Sequence, residues 1–197
     1  MMKQLHTFDD IFDTQKTFRL LLDAMANPSR VVSIQEGAEK LYGSKPEMLT
    51  LAMTLLDKNT GFYTFGHTEL DEQILLLTHA EKKTLEEADY VFVTEEGHLP
   101  EAFAKAKRGT LENPHTSATL IIGCSGERNV SCSISGPGVD GVATFQSPAV
   151  LEEAFRLRTE QAYEYPPGGR HDFCIPRRGT VLHSQNGQEG GTIIWLM

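Results

Sequence analysis

Two short, uninterrupted apolar runs constrain this chain more than anything else in it: Tyr90-Val91-Phe92-Val93 and Ala118-Thr119-Leu120-Ile121-Ile122. Both are rich in β-branched or aromatic residues. Neither shows the polar alternation of a strand with one wet face, so both are expected as strands buried in a sheet. Between them, Pro100 to Lys107 predicts a helix, with Pro in the first turn and Gly109 past the end. The sheet must then be covered by helices, and the rest of the chain supplies candidates.

The first candidate is Thr14 to Ala26. Thr14 is placed to cap it, and Phe18, Leu21, Leu22 and Met25 recur at i, i+3, i+4 and i+7, which predicts one apolar face docked on a core. Asn27-Pro28 stops it. A second helix begins near Ser44-Lys45-Pro46-Glu47, with capping-box spacing between Ser44 and Glu47. Asp57 to Gly61 reads as a turn, Phe62 to Phe65 as a strand, and Leu70 to His79 as helical. Val130 to Ser135 alternates, Gly136 to Gly141 turns, and Val142 to Phe145 is strand-like. Ser147-Pro148 starts a long helix reaching about Tyr163. Asp172–Ile175, Thr180–His183 and Thr192–Leu196 then predict a closing antiparallel meander. The expected class is α/β, one domain over residues 1–197, with a mixed sheet flanked by helices.

Composition removes several function classes. The net charge is −9 and the longest basic block is Arg177-Arg178, which argues against binding a nucleic-acid backbone. No stretch approaches the ~20 apolar residues of a membrane helix. The first ten residues lack the apolar run of a signal peptide, so the cytoplasm is the expected compartment. Cys124, Cys132 and Cys174 form no Cys-x-x-Cys pair and are expected as reduced thiols; no metal site is expected. The His residues share no metal-ligand spacing, and the G-x-S-x-G, Walker A and His-Glu-x-x-His patterns are absent.

Two features carry candidate chemistry. Arg19 lies inside the body of the first helix, where it is expected as a solvated Arg whose stem covers apolar surface or, in a functional role, as a guanidinium that binds an anion or a partner. Gly136-Pro137-Gly138-Val139-Asp140-Gly141 is a literal G-x-G-x-x-G. Dinucleotide binding requires a helix opening directly behind such a loop and backbone N–H groups within it. Here Pro137 removes one N–H and the residues that follow are strand-like, so a tight turn is expected. The amides of Gly136 and Gly138 remain candidates for a backbone anion nest.

Four patches, in order, resemble the H subunit of carbon–phosphorus lyase, the bacterial phosphonate-degrading system. They are Phe18-Arg19-x-Leu21-Leu22-x-Ala24-Met25-x-x-Pro28, Pro114-x-x-x-Ala118-Thr119-Leu120, Ser135-Gly136-Pro137-Gly138-Val139, and a partial match at Pro166-Pro167-Gly168. Ser29 stands where the family usually has Gly, Asp172 falls later than the family's Asp, and the family's Pro-Arg-Thr-like ending is missing around His183 to Gln185. The resemblance implies a fold like a reduced large domain of the type I pyridoxal-phosphate transferases. No Lys follows Lys107, whereas a Schiff-base Lys comes late in that domain, so a fold working without its own cofactor is expected. The resemblance further implies an accessory subunit acting with the G, I and J subunits in a transferase complex. The step is transfer of an alkylphosphonate to the ribose C1 of ATP, with Mg, releasing adenine. A homodimer is implied for the isolated chain. It assigns no catalytic residue. The alternatives are a stand-alone pyridoxal-phosphate or nucleotide-binding enzyme and a purely structural scaffold.

Overall fold

A computed structural model describes residues 6–27, 31–109, 112–124, 130–135, 141–160, 179–183 and 191–196. Six helices are described: α1 (Phe12–Ala26), α2 (Gln35–Ala38), α3 (Pro46–Leu55), α4 (Thr68–Thr78), α5 (Leu99–Lys105) and α6 (Ala149–Glu160). Nine strands accompany them: β1 (Val32–Ser33), β2 (Gly61–Tyr63), β3 (Glu81–Lys82), β4 (Tyr90–Val93), β5 (Thr119–Cys124), β6 (Val130–Ser135), β7 (Val142–Ser147), β8 (Gly179–His183) and β9 (Gly191–Leu196).

Seven of the strands form one sheet in the order β1-β8-β9-β5-β4-β2-β3. The pairs β1/β8, β4/β5, β2/β4 and β2/β3 are parallel, while β9 runs antiparallel to both its neighbours. The sheet is therefore mixed, as expected. The C-terminal strands do form a hairpin, but not a separate meander at an edge. β8 and β9 are inserted between β1 and β5, so the chain's end closes the middle of the sheet. The predicted strand Asp172–Ile175 and the end of α6 near Tyr163 lie outside the described residues.

The two apolar runs behave as strands with no wet face. On β4 and β5, Phe92 and Ile121 sit opposite each other and pack with Leu21, Leu49, Leu51, Leu70 and Ile74 from α1, α3 and α4. The alternate residues Val91, Val93, Leu120 and Ile122 pack with Leu99, Phe103, Leu151 and Ala154 from α5 and α6. Period-2 side-chain alternation thus feeds two cores, one on each face. Phe62, Phe92 and Phe103 are almost wholly buried, each contributing roughly 2–3 kcal/mol of apolar transfer.

α1 departs from expectation in two ways. Thr14 does not cap it. Asp9 does: its Oδ1 accepts from the Ile11 and Phe12 amides at 2.9 and 2.8 Å, and Asp13 in turn accepts from the Asp9 amide at 2.8 Å. The docked face is also rotated. Asp13, Thr17, Leu21 and Ala24 are buried, whereas Phe18 and Leu22 are 44% and 50% exposed. The physical reason lies in the neighbour. Gly37 of α2 packs so closely that a Cβ there would stand 3.3 Å from Phe8, 3.5 Å from the Thr17 hydroxyl and 3.0 Å from Thr50. Small side chains, Thr17 and Ala24, therefore suit the inward face. Lys40 reaches Asp13 at 2.5 Å and so compensates the buried carboxylate.

In α3, Pro46 takes the first helical position as expected, but Ser44 does not cap the helix. Its hydroxyl donates instead to Glu69 of α4 at 2.5 Å.

Candidate functional site

In a parallel sheet the loops after the C-terminal ends of the strands are where ligands are usually held. Here the loop after β2 carries the most unusual local geometry. Phe65 and Gly66 are both left-handed, at φ 54° and 82°. Gly tolerates this, but a bulky aromatic residue does so only when its surroundings hold it. Phe65 is held by stacking on His98, with ring centroids 4.6 Å apart and planes within 8°, and by an edge contact with Tyr63 at 5.0 Å. The left-handed pair turns the chain into α4, whose start is capped by His67 Nδ1 accepting from the Leu70 amide at 3.2 Å.

Beneath this turn lies a buried polar network. The Thr64 hydroxyl donates to Asp71 Oδ1, and Lys82 Nζ meets Asp71 Oδ2 at 2.6 Å. Thr64 is fully buried and Asp71 is 5% exposed. Asp71 therefore ties β2, α4 and β3 together, and both of its oxygens are occupied. Its site is closed rather than catalytic in form. A second carboxylate does similar work: Asp89 accepts from the Gly61 amide at 2.9 Å and from Lys107 at 2.8 Å. Burial alone would raise the Asp89 carboxyl's pKa; the Lys107 ammonium and the Gly61 amide outweigh it and hold the group below its ordinary value.

An open cleft of about 790 Å³ lies beside β3, lined by Tyr63, Lys82, Lys83 and the carboxylates Glu81, Glu86, Glu87 and Glu101. Four acids against two lysines, one of them already held by Asp71, do not make an anion site. Lys83 stands 3.8 Å from Glu81, Lys105 2.8 Å from Glu101 and Lys107 2.8 Å from Asp89, so each of these lysines faces a carboxylate. Cys124 is buried and burial pushes its thiol strongly up, which suits packing rather than nucleophilic work. Among the described residues no group of three or more His, Cys, Asp or Glu could hold a metal, and no helix is long and apolar enough to cross a membrane.

Of the expected site residues, only Arg19 lies among the described ones. Arg19 lies exposed on α1, and among the described residues it makes no hydrogen bond or ion pair. Gly136 and Gly138 lie outside the described residues. The strands on either side, β6 and β7, pair antiparallel in register from Val130↔Ser147 to Ser135↔Val142. Directly after Gly141 the chain is strand β7 and not the helix that dinucleotide binding needs. Sequence reasoning missed the Asp71 network and the Phe65–His98 stack. The only local hint was Phe65-Gly66-His67-Thr68, a turn-and-cap pattern directly after a strand.

Two comparisons place the chain among known proteins. The profile of the family described as "Bacterial phosphonate metabolism protein (PhnH)" matches residues 6–181. The "Putative C-P lyase subunit protein HtxG" of Stutzerimonas stutzeri is similar, 28% identical over 177 residues, covering 86% of this chain and 85% of the relative. The family match spans both cores, the Asp71 network and the β6–β7 hairpin, and this chain belongs to the PhnH family of bacterial phosphonate metabolism proteins.

Proposed function

We propose that this chain is an accessory subunit of a carbon–phosphorus lyase system for phosphonate catabolism. The observation that carries the reading is the family match over residues 6–181, joined by a relative named as a C–P lyase subunit over most of both chains. The local chemistry agrees with an accessory role. The conspicuous carboxylates Asp13, Asp71 and Asp89 are each spent on holding elements together.

The finer reading is that the subunit acts in the cytoplasm with the G, I and J subunits, when an alkylphosphonate displaces adenine from ATP with Mg. In isolation the chain forms a homodimer. Its fold is a reduced relative of the type I pyridoxal-phosphate transferase large domain, working without that cofactor; the lack of any Lys after Lys107 supports this. An absorbance spectrum after incubation with pyridoxal phosphate tests that clause, since an aldimine band would contradict it.

The main test is genetic. Deleting the gene from its host should abolish growth on an alkylphosphonate as sole phosphorus source while sparing growth on phosphate. The intact gene supplied in trans should restore it. Undiminished phosphonate growth of the deletion strain would overturn the reading.

A further inference from the structure

The outward side of α1 repeats the spacing of a helix–helix seam. Ile11, Gln15, Phe18, Leu22 and Met25 follow one another at intervals of four, three, four and three residues. Ile11, Phe18 and Leu22 are 74%, 44% and 50% exposed, and Phe12 beside them is 72% exposed. The opposite side of α1 already buries Leu21 and Ala24 against the core. The helix therefore carries two apolar faces, of which the described residues cover one. A contiguous exposed apolar run of this sort marks an interaction surface. Four of the seven large, exposed hydrophobic residues among the described ones cluster here, so the run is not a scatter of single side chains.

Arg19 decides what kind of partner fits. It stands one turn from both Gln15 and Leu22, on the same side. Neighbouring Lys16 is paired with Glu36, whereas Arg19 pairs with nothing among the described residues. Covering the stripe with apolar surface alone would strand the guanidinium without water, which is costly unless a carboxylate meets it. A second copy of α1 paired in the register of this seam does not supply that group. An antiparallel self-pair centred on Phe18, the midpoint of the seam, sets Arg19 beside its own symmetry mate.

We propose that the outward face of α1 docks an apolar helix of a partner subunit, with an Asp or Glu of that helix received by Arg19. The proposal rests on the accessory-subunit reading and gives it a surface. Phe18 and Leu22 supply the buried anchors and Arg19 sets register and choice of partner.

The test co-expresses the full chain with tagged G, I and J subunits and measures its retention on the affinity resin, with light scattering of the chain alone. The unmodified chain should be retained. Phe18→Asp and Leu22→Asp should each weaken retention by at least about tenfold, which is about 1.4 kcal/mol. Arg19→Glu should lose more than Arg19→Lys. Leu76→Asp on α4, at a leucine 71% exposed, should be retained like the unmodified chain. Circular dichroism checks that each variant is folded; if an apolar-to-Asp change disturbs folding, Arg19→Glu against Arg19→Lys carries the test. Equal retention of all folded α1 variants would overturn the proposal. So would α1 variants that split a dimer of the isolated chain yet leave retention intact, since the stripe would then belong to a second copy. Failure of the unmodified chain to be retained would instead strike the accessory-subunit reading itself.

Discussion

The turn after β2 and the outward side of α1 handle their awkward residues in opposite ways. At the turn, a left-handed Phe65 is clasped by His98 and Tyr63, and the Asp71 carboxylate below it has both oxygens engaged by Thr64 and Lys82. The carboxylate there is spent on holding three elements together, and His98 Nδ1 is the one ring nitrogen at the turn that is buried without a hydrogen-bond partner among the described residues. On α1, four large apolar side chains face water around an Arg with no described partner. The first region sits where α/β proteins usually keep their ligands, yet it is closed. The second sits on a plain helix, yet it is open. The contrast teaches that position in a fold suggests a site, but only unsatisfied groups show what remains to be done.

Four measurements put the difference between these two regions to the test. Phe92→Ala removes a fully buried ring that bridges β4 to the α1–α3–α4 core and should destabilise the chain by about 3–5 kcal/mol in urea unfolding. A loss below ~1 kcal/mol would mean that the two-core description is wrong. Asp71→Ala comes next. It strands the buried Thr64 hydroxyl and releases Lys82, and should cost roughly 1–3 kcal/mol while leaving partner retention unchanged at a temperature where the variant is folded. Lost retention from a folded Asp71→Ala would move the working surface back to the sheet edge.

The third is smaller and depends on pH. Burial by itself would raise the pKa of the Asp13 carboxyl; the Asp9 amide and the Lys40 ammonium outweigh burial and hold it below its ordinary value of 3.8. A carboxylate lowered on folding adds stability that is present above that ordinary value and is lost as pH falls through the folded one. Unfolding free energies of the unmodified chain should therefore fall across the acid limb below about pH 4, more steeply than those of Asp13→Asn. Parallel curves would show that the Asp13–Lys40 contact does not form. The smallest effect on stability belongs to Leu22→Asp, within about 0.5 kcal/mol of the unmodified chain because the position faces water. A large loss there would show that the stripe is covered by the chain itself.

The sequence made the fold's centre legible for a simple reason. Tyr90–Val93 and Thr119–Ile122 are apolar at consecutive positions, and only a strand covered on both faces makes use of that. The strand reading of Val142 to Phe145 also holds, since β7 runs from Val142 to Ser147. α1 was harder. Its Phe18, Leu21, Leu22 and Met25 spacing describes an apolar face correctly, but periodicity does not say that the core takes the neighbouring stripe, with Asp13, Thr17 and Ala24 inward. That choice is made by Gly37 and Lys40, elements of another segment. The Asp71 network was not legible, because Thr64, Asp71 and Lys82 meet only once β2, α4 and β3 are assembled. Of the expected site residues, Arg19 is exposed on α1, and Gly136 and Gly138 lie outside the described residues.

The outward face of α1, and not the turn after β2, is the surface proposed here to meet a partner. Hydrogen–deuterium exchange, read with and without the co-assembled G, I and J subunits, tests it directly. Peptides spanning residues 11–26 should exchange more slowly in the assembly, while those spanning 61–71 should be unchanged. Slowed exchange at residues 61–71 with residues 11–26 unaffected would contradict it.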